Sequence, residues 1–187
     1  MMLIIGLGNP GKKYVNNRHN VGYMFVDYLI KKLRITDYGL KIVKADCFMN
    51  ESGIFVKKLI RNSKFAINNL IIIHDDLDIP LGKFHIQFGI CPQLHNGLES
   101  IENHLHSKDF WRVRIGIDNR QQEEKTSPER SRTSIPLSTT LSVNRIGRRI
   151  PGEIYTLQNF LSQEKKLLEM EIFPKIFSQL KLNFKML

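Results

Sequence analysis

The chain has 187 residues, of which 42% are hydrophobic and 25% charged, so it suits one globular domain with a sizeable core. No stretch approaches the ~20 apolar residues that span a bilayer, and the start lacks the pattern of a secretory signal, so we expect a cytoplasmic protein. The formal net charge of +10 favours a polyanionic partner, although charge alone does not separate nucleic acid or an anionic membrane surface from a merely basic protein.

Apolar strands and amphipathic helices alternate along the first part of the chain. The uninterrupted branched run Leu70–Ile73 is typical of a central strand that is covered on both faces. Helical spacing of apolar residues follows Asn20, which can cap a helix. The predicted elements are, in chain order, a strand over residues 3–7, a helix from Asn20 to about Leu33, a strand from Leu40 to Ala45, a helix from Asn50 to about Asn62 and a strand from Leu70 to Ile73.

The next elements combine half-exposed strands with one more helix. Lys83–Phe88 alternates apolar and polar residues, which predicts a strand with one exposed face. Helical spacing follows Gly97, and Arg112–Ile117 alternates again, with two arginines on one side. Strands that alternate with helices predict the α/β class: a single domain with a mixed, mostly parallel central sheet flanked by helices on both faces.

The periodic pattern stops over residues 119–149. This segment is polar and then basic, and we predict a loop or insertion that is too poor in apolar residues to order itself. Helical spacing returns after Ser162, and Pro174 should kink or divide that helix. Cys47 and Cys91 lie far apart without metal-ligand spacing, so we expect free thiols in a reducing compartment.

Three glycines near the start match the spacing of a dinucleotide-binding loop, G-x-G-x-x-G, at Gly6, Gly8 and Gly11. That loop works by aiming the first amides of a helix at a pyrophosphate. Here Pro10 removes one amide, helical spacing begins only near Asn20, and the second predicted strand ends without an acidic residue for a ribose. A dinucleotide site is therefore the weaker of two interpretations.

The stronger interpretation is a histidine-based hydrolase. His19 follows the first strand, and Asp75 stands in the acidic run His74-Asp75-Asp76-Leu77-Asp78 just after the central strand. A carboxylate that accepts from one imidazole nitrogen leaves the other nitrogen to take a proton from water. The acidic run has two rival interpretations, a solvated turn and a Mg²⁺ site of hard oxygen ligands. A metal gains no support from a phosphate-binding loop or a further acidic cluster.

Three asparagines lie at the ends of predicted elements: Asn9, Asn50 and Asn96. Asparagine favours turns and caps, so each one alone is explained by structure. Near a histidine, the three amides would also suit a peptide main chain and could polarise an ester carbonyl.

With these residues in view, the sequence resembles bacterial-type peptidyl-tRNA hydrolase over residues 1–118, with weaker similarity over about 150–180. The matching motifs are Gly6-Leu7-Gly8-Asn9-Pro10-Gly11, Tyr14, Arg18-His19-Asn20-Val21-Gly22, Phe48-Met49-Asn50-Glu51-Ser52-Gly53, His74-Asp75-Asp76-Leu77-Asp78-Ile79-Pro80, His95-Asn96-Gly97-Leu98 and Arg112-Val113-Arg114-Ile115-Gly116-Ile117.

The resemblance implies a single-domain α/β hydrolase, with no metal or other cofactor, that cuts the ester between a peptide and the 3′ ribose of tRNA. It implies that His19 is the base and that Asp75 orients it. It also implies that Asn9 and Asn50 hold the peptide and the catalytic geometry, while Asn96 positions the water and the carbonyl. Two further residues, Tyr14 and Met49, would line the site near the scissile end.

The resemblance also implies that the protein binds the acceptor stem and 3′ end of peptidyl-tRNA. It implies a cytoplasmic monomer with no membrane partner. Arg114 matches a residue that clamps the 5′ phosphate, and its usual lysine partner is replaced here by His85, for which Lys83 could substitute. Residues 88–94 replace a usual glycine-rich lid, and Pro92 should stiffen it. These departures leave a non-catalytic RNA-binding relative of the same fold as the alternative.

Overall fold

A computed structural model describes residues 2–33, 39–63, 65–90, 94–120 and 150–184. Within these residues the strands form one sheet with the order β2-β1-β3-β5-β4, in which only β4 runs antiparallel to its neighbour. The strands are β1 (Met2–Gly6), β2 (Leu40–Lys44), β3 (Leu70–Pro80), β4 (Phe84–Phe88) and β5 (Trp111–Asp118).

The described helices cover both faces of this sheet. They are α1 (Val21–Lys32), α2 (Ser52–Ser63), α3 (Asn96–Leu105), α4 (Gly152–Thr156), α5 (Ser162–Leu167) and α6 (Phe173–Phe184), with a π-helical turn (Leu168–Ile172) between the last two. Short 3₁₀ turns span Lys12–Tyr14, Arg18–Asn20, Met49–Glu51 and Ile67–Asn69. Among these residues, no helix is both long enough and apolar enough to cross a membrane.

Alternate residues of the central strands feed two separate cores, as the period of a strand requires. Ile71 and Ile73 of β3 pack with α1 and α6, whereas Leu70 and Ile72 pack with α2 and α3. All four of these side chains are fully buried. The predicted α/β class, with a mixed and mostly parallel sheet between helices, is confirmed.

The predicted end of the central strand is wrong. β3 continues to Pro80, so the acidic run lies within the sheet and pairs with β5, although the register shifts between Asp76 and Pro80. Asp75 and Asp76 are each only 2% exposed, which also contradicts a solvated turn. Sequence patterns missed this extension because the strand signal is apolar, whereas these residues are buried by pairing with charged partners.

The predicted capping role of Asn20 is also wrong. Helix α1 does begin after Asn20, but no side-chain bond caps it. Instead, Asn20 Oδ1 accepts from the Asn9 amide at 2.8 Å and Asn20 Nδ2 donates to the Asn9 carbonyl at 2.9 Å. The side chain therefore fixes the loop after β1 rather than the end of the helix.

Pro174 was expected to kink or divide the last helix, and this prediction is confirmed, since a wider π-helical turn precedes the proline. A proline at this position has no N–H to donate to the carbonyl four residues earlier, and the helix adopts a π-helical turn over Leu168–Ile172, just before it. The four apolar residues that predicted this helix, Leu168, Ile172, Ile176 and Leu180, are all buried. The predicted insertion over residues 119–149 lies almost wholly outside the described residues, as do Cys91 and Pro92, whereas Cys47 is a free thiol.

The glycines at the start serve close packing. A Cβ on Gly22 would lie 2.4 Å from the Ile73 carbonyl oxygen and 2.5 Å from that of Leu7, and a Cβ on Gly6 would lie 2.5 Å from the Gly22 carbonyl oxygen. Helix α1 therefore crosses the sheet with backbone against backbone. This contact places the turn before α1, which carries His19, beside the carboxyl end of β1 and the middle of β3.

We predict that Gly22→Ala lowers the free energy of unfolding by about 2 kcal/mol or more, because the new methyl group meets rigid backbone on the sheet. Gly39→Ala is the matched control: nothing lies within 4 Å of its Cβ position, and we expect a change of less than about 0.5 kcal/mol. Urea unfolding measures both. Similar small changes in the two variants would contradict the close crossing of α1.

Candidate active site

The candidate site lies where β1 ends, beside the middle of β3, and α/β proteins commonly place their sites at the carboxyl end of a strand. The loop after β1 supplies Asn9, the 3₁₀ turn before α1 supplies His19, and β3 supplies Asp75. His95 comes from the residue before α3, and Met49 from the 3₁₀ turn before α2. Five separate segments thus meet at one edge of the sheet.

The central contact is a hydrogen bond of 2.7 Å between His19 Nδ1 and Asp75 Oδ1. An ionised carboxylate can only accept, so Nδ1 carries the proton and the lone pair lies on Nε2. The His19 side chain is 13% exposed and the Asp75 side chain 3%. The structure therefore brings together the two residues that were paired from the sequence. It also leaves Nε2 of His19 without a proton, as a general base requires.

Burial and charge act in opposite directions on both groups. Burial is the largest influence on His19 and lowers its pKa, but the charge of Asp75 and its hydrogen bond together raise that pKa above its usual value. Burial is also the largest influence on Asp75 and raises its pKa, but the two imidazoles of His19 and His95 outweigh it and hold that pKa well below its usual range. Asp75 is therefore ionised at neutral pH.

His95 is a second donor to the same carboxylate oxygen. His95 Nε2 lies 3.1 Å from Asp75 Oδ1, and His95 Nδ1 accepts from the Leu98 amide at 3.2 Å. Sequence reasoning did not assign His95 a role, although it stands beside Asn96 in a matching motif. Since Nδ1 accepts from an amide, the proton must lie on Nε2 and point at Asp75.

The position of the proton on His95 decides whether these residues could bind a metal ion. His19, Asp75 and His95 each offer one ligand atom, and these atoms lie within 4.8 Å of one another. A metal-bound histidine donates its other N–H outward, whereas His95 Nδ1 accepts from Leu98. The donor set therefore fits hydrogen bonds to a carboxylate, not a metal ion.

The acidic run does not form a Mg²⁺ site of the kind considered from the sequence. Adjacent strand residues point to opposite faces, and Asp76 pairs instead with Arg114, whose Nε lies 2.7 Å from Asp76 Oδ2. Asp75 thus binds nitrogen donors on one side of β3, and Asp76 binds a nitrogen donor on the other. The two carboxylates do not converge on a common point.

Asn9 is held by hydrogen bonds on both its backbone and its side chain. Its backbone is bonded in both directions by Asn20, and its side-chain Oδ1 accepts from the Met49 amide at 3.0 Å. The remaining group, Nδ2, is the one left to donate to a ligand. Asn50 and Asn96 are exposed, and within the described residues neither side chain forms a hydrogen bond, so both amides face solvent next to Met49 and His95.

The predicted RNA-contacting residues lie together on the β4–β5 side of the sheet. His85 pairs with Arg114 across the two strands, and Lys83 and His85 are both exposed. The Arg114 side chain is 11% exposed, and its guanidinium already binds Asp76 and, at 2.8 Å, Gln87 Oε1. Tyr14 lies elsewhere, in the loop after β1, with the Lys13 ammonium 4.7 Å from its ring centre.

Sequence reasoning missed the buried ion pair that anchors the His19 turn. Arg18 Nη2 lies 2.8 Å from Glu164 Oε2, with side-chain exposures of 2% and 4%. The guanidinium also stacks over the rings of Tyr155 and Phe160, at 4.3 and 5.0 Å. No local pattern could have revealed a partner that lies 146 positions along the chain.

Comparisons with known proteins show the family of this chain. A family model described as peptidyl-tRNA hydrolase matches residues 3–129. The chain belongs to the peptidyl-tRNA hydrolase family. The peptidyl-tRNA hydrolase of Thermodesulfovibrio yellowstonii is 42% identical in an alignment 135 residues long, which covers 63% of this chain and 72% of the relative. The peptidyl-tRNA hydrolase of Mycobacterium avium is 39% identical in an alignment 133 residues long, which covers 62% of this chain and 70% of that relative.

Known structures of peptidyl-tRNA hydrolase share the fold. The crystal structure of the Acinetobacter baumannii peptidyl-tRNA hydrolase matches with a TM-score of 0.72 at 26% identity, covering 97% of this chain and 87% of that one. A peptidyl-tRNA hydrolase in complex with N-propanol matches with a TM-score of 0.73 at the same identity and the same coverage. The suspected family resemblance is therefore confirmed.

We predict that Asp75→Asn lowers the pKa of His19, because burial then acts without the opposing carboxylate. Titration of the imidazole signals by nuclear magnetic resonance (NMR) measures this change. Asp109→Asn, which removes an exposed carboxylate, is the matched control and should leave the His19 titration unchanged. A His19 titration that is the same in Asp75→Asn and in the unaltered protein would contradict the pairing.

Proposed function

We propose how this chain carries out the peptidyl-tRNA hydrolysis that its family membership establishes. His19 Nε2 removes a proton from water, and the resulting hydroxide attacks the ester carbonyl that joins the peptide to the 3′ ribose. The single observation that supports this most is the 2.7 Å bond from His19 Nδ1 to Asp75, since it places the lone pair on the opposite nitrogen. Family membership favours this activity over a non-catalytic RNA-binding relative.

Asp75 has two tasks in this scheme. Its bond to Nδ1 fixes the orientation and tautomer of the imidazole, and its charge stabilises the imidazolium that forms when His19 takes the proton. The carboxylate remains ionised throughout, because its pKa lies well below its usual range. The proton then passes from His19 to the ribose oxygen as the ester bond breaks, which returns the base to its neutral form.

The asparagine amides supply the binding side of the scheme. Asn9 Nδ2 donates to a peptide carbonyl, Asn50 contacts the peptide main chain, and Asn96 positions the water and the ester carbonyl. The rigid clamp on Asn9 supports this assignment, as does the exposure of the other two amides. Tyr14 and Met49 line the site near the scissile end. Because amides grip only the main chain, the identity of the peptide side chains should matter little.

Lys83, His85 and Arg114 contact the phosphates of the acceptor stem in this proposal. The exposure of Lys83 and His85 supports it, whereas Arg114 has only part of its guanidinium left for a phosphate. Lysine and arginine contacts of this kind position the RNA and make binding depend on salt. Action as a monomer in the cytoplasm remains a prediction.

We predict that His19→Ala lowers kcat by about 10²- to 10⁴-fold, the usual contribution of a general base. The substrate is an N-acetylated aminoacyl-tRNA, and release of the blocked amino acid is measured. Thermal unfolding of the variant should stay close to that of the unaltered chain, because the imidazole is partly exposed. Turnover at the unaltered rate would refute His19 as the base.

We predict that Lys83→Ala weakens binding of uncharged tRNA and leaves kcat unchanged. The slope of log K against the logarithm of the salt concentration should become less steep by about 0.7 to 0.9. One phosphate contact is lost, while the ester remains in place. The matched control is Lys57→Ala, which removes an equally exposed lysine from α2. An equal loss of affinity in both variants would show that overall charge, and not this surface, accounts for binding.

A further inference from the structure

The carboxylate that orients His19 is shared. His19 Nδ1 and His95 Nε2 both point at the same oxygen, Asp75 Oδ1, at 2.7 and 3.1 Å. The two rings lie 5.1 Å apart between their centres and tilt by 41°, so they approach the oxygen from different sides. Both N–H groups are attracted by the same negative charge on Asp75 Oδ1. The strength of one bond therefore depends on the other.

The donor role of His95 is fixed by the first turn of α3. The Leu98 amide donates to His95 Nδ1, which leaves Nε2 as the protonated nitrogen of a neutral ring. His95 is 8% exposed, so water does not compete readily for its N–H. Helix α3 thus delivers a neutral donor to Asp75.

The groups that face His95 add no competing bond to it. They are His19 from the turn before α1 and Asp75 and His74 from β3. Arg114 of β5 pairs with His74 in the sheet, and its charge lowers the pKa of His74. His74 donates its Nδ1–H to the Asp75 carbonyl at 2.7 Å and meets the His95 ring edge-on. Burial above all, and then His95, lower the pKa of His74 well below its usual value, so His74 is neutral.

We propose that His95 is a positioning residue for the hydrolysis: by sharing Asp75 Oδ1 it weakens the interaction of that carboxylate with His19 and so widens the pH range over which the base is neutral. The inference rests on the proposed role of His19. A hydrogen bond to a charged group is stronger than one between neutral groups. Without the His95 donor, the full charge of Asp75 would act on His19, which would then keep its second proton to higher pH and be inactive over more of the neutral range.

Two substitutions separate this role from the structural role of His95 as a helix cap. His95→Asn keeps an acceptor for the Leu98 amide, since asparagine is a favoured cap, but its side chain is too short to reach Asp75. His95→Gln places an amide nitrogen near the position of Nε2 and loses the cap. The first variant tests the bond to Asp75, and the second is its matched control.

The expected result is a displaced pH profile in His95→Asn alone. The acidic limb of kcat/KM should move to higher pH, so that below its midpoint the value falls about three- to tenfold, while the plateau at high pH stays within about twofold. His95→Gln should keep the midpoint and lower Tm. A midpoint that stays in place in His95→Asn, or moves equally in both variants, would overturn the proposal.

NMR of the imidazole nitrogens gives a second test that does not depend on turnover. In the unaltered protein the proton of the His95 ring should lie on Nε2, and in His95→Asn the His19 titration should move to higher pH. A proton on Nδ1 of His95 would overturn the proposal directly. If His19→Ala proved fully active, the proposed function would fail, yet the displaced His19 titration would still be measurable.

Discussion

One buried carboxylate organises this molecule. Asp75 is 2% exposed on the central strand, where an unpaired charge would be costly, and it is stabilised by imidazoles from two other segments. Those segments must therefore arrive at the same edge of the sheet with their N–H groups pointing inward. The packing of α1 through Gly22 and the first turn of α3 both serve that requirement. The need to pair this buried charge therefore determines both the arrangement of the site and the packing of these two helices.

Much of the architecture follows from apolar periodicity. The runs before Gly6 and after Asn69 indicate parallel strands. Because Gly6 pairs with Ile73, the loop that carries Asn9 begins level with the part of β3 that carries Asp75. The pairing of His19 with Asp75 followed from that placement together with the chemistry of the two side chains. The same reasoning rejected a dinucleotide loop, and the structure gives those glycines a packing role instead.

The polar interior was less visible in the sequence. Asp76 looks like a turn residue because strand patterns are recognised by apolar side chains. It is nevertheless buried within β3, where its charge is compensated by Arg114, 38 positions away. Asn20 stands where a cap is expected, but the Asn9 backbone is the better-placed partner. Such pairings depend on three-dimensional proximity, which neither composition nor local spacing encodes.

The Arg18–Glu164 pair has a consequence for how the enzyme matures. A contact between residues 146 positions apart closes a very long loop, and long-range contacts form late because their entropy cost comes before their benefit. The turn that carries His19 is thus pinned only once the C-terminal helices have docked.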